Sequence, residues 1–597
     1  MMDPKMVYTR RLEDFRAQQK ILQKKKLVLG VVRFGSIAAI IAAFYFLWSI
    51  GMLYVFSAVV LLTAVFIRLV YHDLANKAAI KHLGYLVSVN EEELLALEGA
   101  YHHFADGRGY LPKEHFYAAD IDIFGHASLF QFLNRTSSDM GAAQLSQWLL
   151  EPADAQDILS RQAAVKEISA KISWRQELQA YGNENSIKSG TVVRLEQWLH
   201  EPTLFLQFKH WKWLRIVLPF ISTSIVIAAL SGWISIGIMY LSLLIFAAIA
   251  YQVNKLVSPL HDSLSKMVNE MEGLSQSIAL IENESFDADL LNQLKQQYIS
   301  RSGKASVYTT QLKKILDRLD LRYNIVLSAP LNLLLLWNLQ QVLDLEKWKQ
   351  QHAADVANWF HALGAIEALN SFATIHFNNP SWCFPVLKSG YFFIEANELG
   401  HPLINETKRV NNFIKIDARA ELMLVTGSNM AGKSTYLRSV GVNVVLAMAG
   451  APVCAHTFSI SPVQLITSMR IADNLEESTS TFYAELKKLK TVIDKVNNEE
   501  EVFILLDEIL RGTNSLDRHT GSVALIRQLI KQRSAGIIAT HDLALADIKN
   551  EFPASILNFH FDAQVEKEEL FFDYKLKPGV CESLNASILM KKIGIEL

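Results

Sequence analysis

Leu422-Met-Leu-Val-Thr-Gly427-Ser-Asn-Met-Ala-Gly432-Lys433-Ser434-Thr435 is the stretch that decides the C-terminal part of this chain. Its first five residues read as a buried strand, the next eight satisfy G-x-x-x-x-G-K-[ST], and a helix-compatible run follows from Thr435. Strand, loop and helix in that order place backbone N–H groups around phosphate oxygens, and the helix N-terminus adds its positive dipole end. Gly427, Ser428, Asn429, Met430, Ala431 and Gly432 would form that cradle, with Thr435 opening the helix. Lys433 is placed for the β- and γ-phosphates of ATP, and the Ser434 hydroxyl for Mg2+.

Two further runs support this reading. Val502-Phe-Ile-Leu-Leu-Asp507-Glu508 is a buried-strand pattern ending in two carboxylates. Asp507 suits the Mg2+ shell, and Glu508 is placed to orient or deprotonate the attacking water. Ala535-Gly-Ile-Ile-Ala-Thr540-His541 is a third such strand, and its terminal imidazole could sense the γ-phosphate. A carboxylate pair or a histidine alone would more often be a solvated turn. At the ends of strands downstream of a phosphate-binding loop, they sit where parallel sheets bind ligands. Short β-rich runs alternating with helical ones predict an α/β domain with a parallel sheet over 391–597.

Upstream the character is different. From Phe34 to Ile67, and again from Ile216 to Val253, there is no Asp, Glu, Lys or Arg. The first run would be about 51 Å long as one helix, against a hydrocarbon core of about 30 Å. Each run is therefore expected to be a membrane hairpin, turning near Trp48–Gly51 and near Ser231–Trp233. Lys24, Lys25, Lys26 and Arg33 precede the first; Arg68 and Lys77 follow it. Lys209, Lys212 and Arg215 precede the second, and Lys255 follows it. These flanks predict an inner-membrane protein with its ATPase domain in the cytoplasm and lipid as a partner. A cleaved signal peptide is not expected. The apolar piece Leu331–Trp337 is read as core.

The expected fold class is thus multidomain: an α-helical core and lever with two transmembrane hairpins, followed by a C-terminal α/β P-loop ATPase domain, which the family resemblance below implies to be ABC-type. The expected boundaries are a basic lead at 1–27, hairpins at 28–71 and 201–255, a helical core at 72–200 and a lever at 256–390. Apolar positions at helical spacing over 256–325 predict long amphipathic helices. The chain has 597 residues with 58 Lys+Arg and 60 Asp+Glu, a net charge of -2, which excludes a generally basic nucleic-acid coat. It carries only 27 glycines and 14 prolines, so it reads as helix-rich and neither fibrous nor disordered. Cys383, Cys454 and Cys581 are too few and too scattered for a disulfide framework or a cysteine zinc site.

The order of motifs resembles the ATPase domain of the MutS family. Thr426–Thr435, Ser480-Thr-Phe-Tyr-Ala-Glu485, Asp507-Glu-Ile-Leu-Arg-Gly-Thr513 and Ala539-Thr-His541 carry the resemblance. Leu129-Phe-Gln-Phe-Leu-Asn134, Met140-Gly141, Trp148-Leu149 and Arg161-Gln162 are similar to the opening of the MutS core domain, and Leu399-Gly-His-Pro402 to the lead into its ATPase. The resemblance implies Mg2+-dependent ATP hydrolysis by a homodimer, with Ser480 reaching the γ-phosphate held by the other subunit. It also implies DNA as a partner, mismatched or branched. The chain departs from the family pattern at Leu510 and Ala431, where the family favours glycine. Its one Phe-x-Glu, Phe393-Ile394-Glu395, reads as a strand face rather than a DNA wedge, so the mismatch-reading N-terminal domain is not expected. Two other functions fit parts of the pattern: an ATP-switched membrane scaffold acting without DNA, and half of an ABC-type exporter, against which stands the missing Leu-Ser-Gly-Gly-type signature.

Overall fold

The computed structural model describes residues 3–264, 267–300, 303–418, 420–428, 431–469, 481–566 and 569–581. The chain opens with two long antiparallel helices, α1 (Pro4–Leu47) and α2 (Met52–Leu97), turned at Trp48–Gly51. Asp3 caps α1 by accepting the Lys5 N–H, and Pro4 suits the first helical turn. Ion pairs hold the two helices in register: Lys5–Glu98 at 2.9 Å, Arg16–Glu91 at 2.5 Å, and Arg33 with Asp73. No break falls at residue 27 or 71. The basic lead and the apolar run share one helix, so the expected boundaries there fall inside helices of a continuous stalk.

A helical body follows: α3 (Leu129–Leu133), α4 (Asp139–Leu150), α5 (Ala155–Ala170), α6 (Ile172–Glu184) and α7 (Ser189–His200). Ser128, Ser138 and Asp154 cap α3, α4 and α5. The second hairpin is α8 (Lys209–Leu230) and α9 (Ile236–Leu264). Since α9 runs on past Val253, the expected boundary at 255 falls inside a helix. Four helices among the described residues, α1, α2, α8 and α9, are long and apolar enough to cross a membrane. Along their uncharged stretches the outward side chains are largely apolar: Phe46, Phe56, Phe220, Leu230 and Leu244 are all strongly exposed.

Residues 256–325 form shorter pieces than expected: α10 (Val268–Asn283), α11 (Asp289–Gln296), a two-residue hairpin of β1 (Ile299–Ser300) and β2 (Gly303–Lys304), and α12 (Ala305–Asp320). Helix α13 (Ile325–Leu335) then bends by 77° into α14 (Trp337–Asn378). At about 1.5 Å per residue the 42-residue α14 is about 63 Å long. Its later turns are buried on nearly every side against α4 and α5. Leu331–Trp337, expected as core, is so only in part: Leu336 is buried, Leu333 packs against the core, and the rest is half-buried against α8 and α9.

The C-terminal part holds two sheets. The smaller contains β3 (Val386–Leu387), β4 (Ile394–Leu399), β5 (Asn412–Ile416) and β7 (Thr457–Ile460), in the order β3-β7-β4-β5. Because β3 pairs with β7, this domain reaches back to residue 386, before the expected start at 391. Phe393–Glu395 lies at the start of β4, where Ile394 is buried and Glu395 pairs with Lys415 at 3.5 Å. The larger sheet has the order β12-β11-β6-β10-β9-β8. Here β6 is Leu422–Thr426, β8 Gln464–Ser468, β9 Val502–Asp507 and β10 Ala535–Thr540, with β11 (Ile556–Glu566) and β12 (Glu569–Pro578) closing one edge. All pairs are parallel except β11 with β12. Helices α15 (Lys433–Ala449), α16 (Thr481–Asn497), α17 (Ser515–Lys531) and the single turn α18 (Ile548–Glu551) complete it. Strands β6, β9 and β10 are buried along their whole length, as strands covered on both faces must be.

Candidate nucleotide site

Register brings the three motif strands to a common end. Thr540 pairs with Thr426 and Ala539 with Asp507, so Gly427, Glu508 and His541 leave the sheet side by side at its C-terminal edge. That edge is where open parallel sheets hold ligands.

The loop after β6 needs its glycines. Gly427 has φ 140°, and a Cβ there would lie 2.6 Å from the Phe561 carbonyl oxygen. Gly432 has φ 104° and leads directly into α15. Ser428 is exposed at the rim, Ala431 is buried and donates its N–H to the Ser428 carbonyl at 3.2 Å, and Thr435 is exposed on the first turn of α15. Asn429, Met430 and Ser480 lie outside the described residues.

Lys433 is 1% exposed, and its Nζ donates to the Gly427 carbonyl at 2.5 Å and the Ser428 carbonyl at 3.0 Å. Burial holds its amine below the ordinary lysine value, opposed by Glu508 and Asp507. The ammonium is thus kept inside the loop where phosphate oxygens would replace the two carbonyls.

Next to it the Ser434 hydroxyl donates to Asp507 Oδ2 at 2.5 Å. Asp507 is buried, which raises its carboxyl above the ordinary aspartate value, while the Ser434 hydrogen bond lowers it. Its second oxygen, Oδ1, has no hydrogen-bond partner among the described residues. A hydroxyl and a carboxylate with a spare buried oxygen fit a hard cation that takes oxygen ligands and completes its shell with phosphate and water. No group of three or more His, Cys, Asp or Glu placed to hold a metal ion is present among the described residues.

Glu508 sits in the left-handed region at φ 51° and donates its N–H to the Ala539 carbonyl at 2.9 Å. Its carboxylate lies 3.2 Å from Arg511 Nε and 3.7 Å from His541 Nδ1. The geometry thus brings His541 and Glu508 together at the sheet edge and adds Arg511, which lies inside the Asp507–Thr513 run without a sequence signal of its own. Glu485, on α16, was also quoted without a role. Its carboxylate accepts the Leu510 N–H, fixing the loop after β9, and burial raises its carboxyl. Leu510 occupies φ 60°, a conformation that glycine adopts without strain. That is the physical content of the departure at this position.

The fold and site define a P-loop-patterned α/β domain joined to a helical body. Comparison with known proteins places both parts. The family profile for MutS domain V matches residues 423–592, and that for MutS domain III matches residues 118–190. A protein named DNA mismatch repair protein MutS from Natronomonas pharaonis is 30% identical over 227 residues, which is 37% of this chain and 26% of that protein. One of the same name from Persephonella marina is 32% identical over 238 residues, 39% of this chain and 27% of that protein. The chain belongs to the MutS family. Its match spans about a quarter of the length of these curated relatives.

Proposed function

We propose that this protein is a membrane-anchored MutS-type ATPase, in which Mg2+-dependent ATP binding and hydrolysis drive movement of the helical body. The observation that carries the reading is the Ser434–Asp507 contact beside the buried Lys433. It supplies a cation site and a phosphate charge partner at the edge where Glu508 and His541 also end. Lys433 and the loop N–H groups would bind the phosphates, and Ser434 with Asp507 would hold Mg2+. Glu508 would orient the attacking water, with His541 beside it. When bound, the Mg2+ ion neutralises phosphate charge.

Four long apolar helices with apolar outward faces support the membrane anchor. Such a continuous exposed apolar surface is costly in water and suits lipid. The basic flanks support an ATPase domain on the cytoplasmic side. Two chains would sandwich each nucleotide, with Ser480 of one facing the γ-phosphate of the other, and mismatched DNA is the partner that the relatives' names suggest, with branched DNA a second candidate.

The test is ATP hydrolysis by detergent-purified full-length protein, with and without Mg2+, and with duplex, mismatched or branched DNA at low salt. Mg2+-dependent turnover supports the ATPase reading, and its absence overturns it. A DNA effect on rate or binding supports the DNA partner. Turnover with no DNA effect moves the reading to an ATP-switched membrane scaffold.

A further inference from the structure

Beyond the two hairpins, a third apolar element faces the same surroundings. From Tyr323 to Leu343 the chain has no Asp, Glu, Lys or Arg, and this run contains all of α13. The free face of α13 is apolar: Val326 is 77% exposed and Leu327 48%. Ala329 and Pro330 are exposed beside them. In water this would be an unexplained patch.

The contacts of α13 fix its depth relative to the second hairpin. Both ends of the run are tied to that hairpin's polar flanks. Arg322 donates to Ser258 Oγ at 2.6 Å, and Asn338 Nδ2 donates to Asn254 Oδ1 at 2.7 Å. On the α8 side Arg215 pairs with Asp344 at 2.8 Å, while Gln340 Nε2 donates to the Arg215 carbonyl at 2.7 Å. Between these ends α13 lies alongside the uncharged run. Ser328 and Asn332 face Ala247 and Ala250 across a cavity of about 410 Å3. Ala247 is about 10 Å from Asn254 along α9, and Ser222 is about 10 Å from Arg215 along α8, at 1.5 Å per residue. Ser222 Oγ donates to the Leu334 carbonyl at 2.5 Å. The chain therefore goes in and comes back on one side, reaching about a third of a hydrocarbon core of about 30 Å.

The break between α13 and α14 is also built for surroundings without water. Leu336 adopts φ 48°, which interrupts the helical ladder and frees carbonyls. Side chains take them up: Ser222 at Leu334 O and Gln340 Nε2 at Leu335 O, 3.4 Å. Asn332 Oδ1 accepts the Asn338 N–H at 2.9 Å. Irregular backbone at membrane depth requires such internal satisfaction. Exposed Trp213, Tyr251 and Tyr323 ring this level, as interfacial aromatics do.

We infer that α13 is a re-entrant segment that lies in the cytoplasmic leaflet against the second hairpin, with Val326, Leu327 and Pro330 in contact with lipid acyl chains. This rests on the reading of α8 and α9 as membrane-spanning. The mechanical consequence is that α14 begins at the edge of the leaflet, directly after α13, and ends against the MutS-type domains, so lever movement would displace a lipid-embedded segment.

The test uses the full-length chain in phosphatidylcholine–phosphatidylglycerol vesicles. A fluorescent label is placed by Val326→Cys, or separately by Leu327→Cys. Leu244→Cys serves as the hairpin reference and Leu516→Cys as the ATPase-surface reference. The unsubstituted chain, labelled in parallel, gives the background from the native cysteines, of which Cys454 and Cys581 are buried. The expected result is quenching at 326 and 327 by a lipid-tethered nitroxide, matching position 244, with little quenching by a water-soluble one. Lipid contact at 244 with water contact at 326 and 327 overturns this inference alone. Water contact at 244 as well overturns the membrane reading beneath it.

Discussion

Glu93 on α2 and Arg135 just after α3 form an ion pair whose side chains are only 2% and 1% exposed. Arg135 Nε donates to one carboxylate oxygen, and Nη2 to the other at 3.3 Å. Asn378, at the end of α14, adds an amide to Glu93 at 2.7 Å, and Arg135 also donates to the Phe132 and Asn134 carbonyls. One buried charge pair thus joins the first hairpin, the domain III segment and the lever.

Removing one partner strands the other charge out of water. Arg135→Met is expected to cost about 3–5 kcal/mol in denaturant or thermal unfolding. The double variant Glu93→Leu/Arg135→Met should lose much less than the sum of the single losses, because no charge is left unpaired. Additive losses in a double-mutant cycle would show that the pair contributes nothing jointly.

A second anchor sits at the other end of α14. The Glu346 carboxylate accepts the N–H groups of Leu204 and Leu206 at 2.7 Å and that of Phe205 at 3.1 Å, holding the loop that leads into α8. Glu346→Ala leaves those donors without their acceptor, at a cost of about 1–3 kcal/mol. Glu346→Gln should be nearly as harmful, since its NH2 group would face N–H donors. Limited proteolysis between residues 200 and 209 reads the outcome. Full protection in the Gln variant would contradict this account.

The sheet-edge site was legible because its signals are local. Strand runs without polar residues end in Gly427, Asp507–Glu508 and Thr540–His541, and parallel pairing does the rest. The apolar runs were legible for the same reason. What the sequence hid is set by long-range contact. Arg511 and Glu485 look like ordinary surface charges until the loop after β9 folds against α16. Leu331–Trp337 is only partly legible, because a short apolar piece has the same pattern whether it is fully or half buried. Only the ties of Arg322 and Asn338 to Ser258 and Asn254 show its level. The stalk shows no helix break at residues 27 and 71, because a helix continues wherever its backbone bonds continue, regardless of a change in polarity along it.

The cation site carries its own prediction. Asp507→Asn should retain nucleotide binding without Mg2+ while losing most Mg2+-dependent hydrolysis, and Ser434→Ala should shift the Mg2+ requirement upward. Chelation by EDTA should abolish turnover in the unsubstituted chain. Burial raises the Asp507 carboxyl, so protons compete with the cation at a higher pH than for an exposed aspartate. The Mg2+ concentration for half-maximal activity should therefore rise as pH falls from neutrality into the range above the ordinary carboxylate value. A half-maximal concentration unchanged across that range would remove Asp507 from the cation shell.

Lys433 and Glu508 should fail in different ways. Lys433 is held against the Gly427 and Ser428 carbonyls, so its charge is already in place for the ground-state phosphates. Lys433→Ala should weaken ATP binding at least tenfold, the equivalent of about 1.4 kcal/mol, and turnover would fall with it. Glu508 stands at the strand end with its carboxylate shared between Arg511 and His541, outside the loop that would hold the phosphates. Glu508→Gln keeps the shape but not the base, so it should bind ATP with near-normal affinity and turn it over about a hundredfold more slowly, within the usual range for a general base. Arg511→Ala, which frees the carboxylate, should leave binding intact and alter turnover alone. Equilibrium binding of a fluorescent ATP analogue, set beside single-turnover hydrolysis, separates the two roles. Equal loss of affinity in Lys433→Ala and Glu508→Gln would place Glu508 in phosphate binding and leave the attacking water without its base.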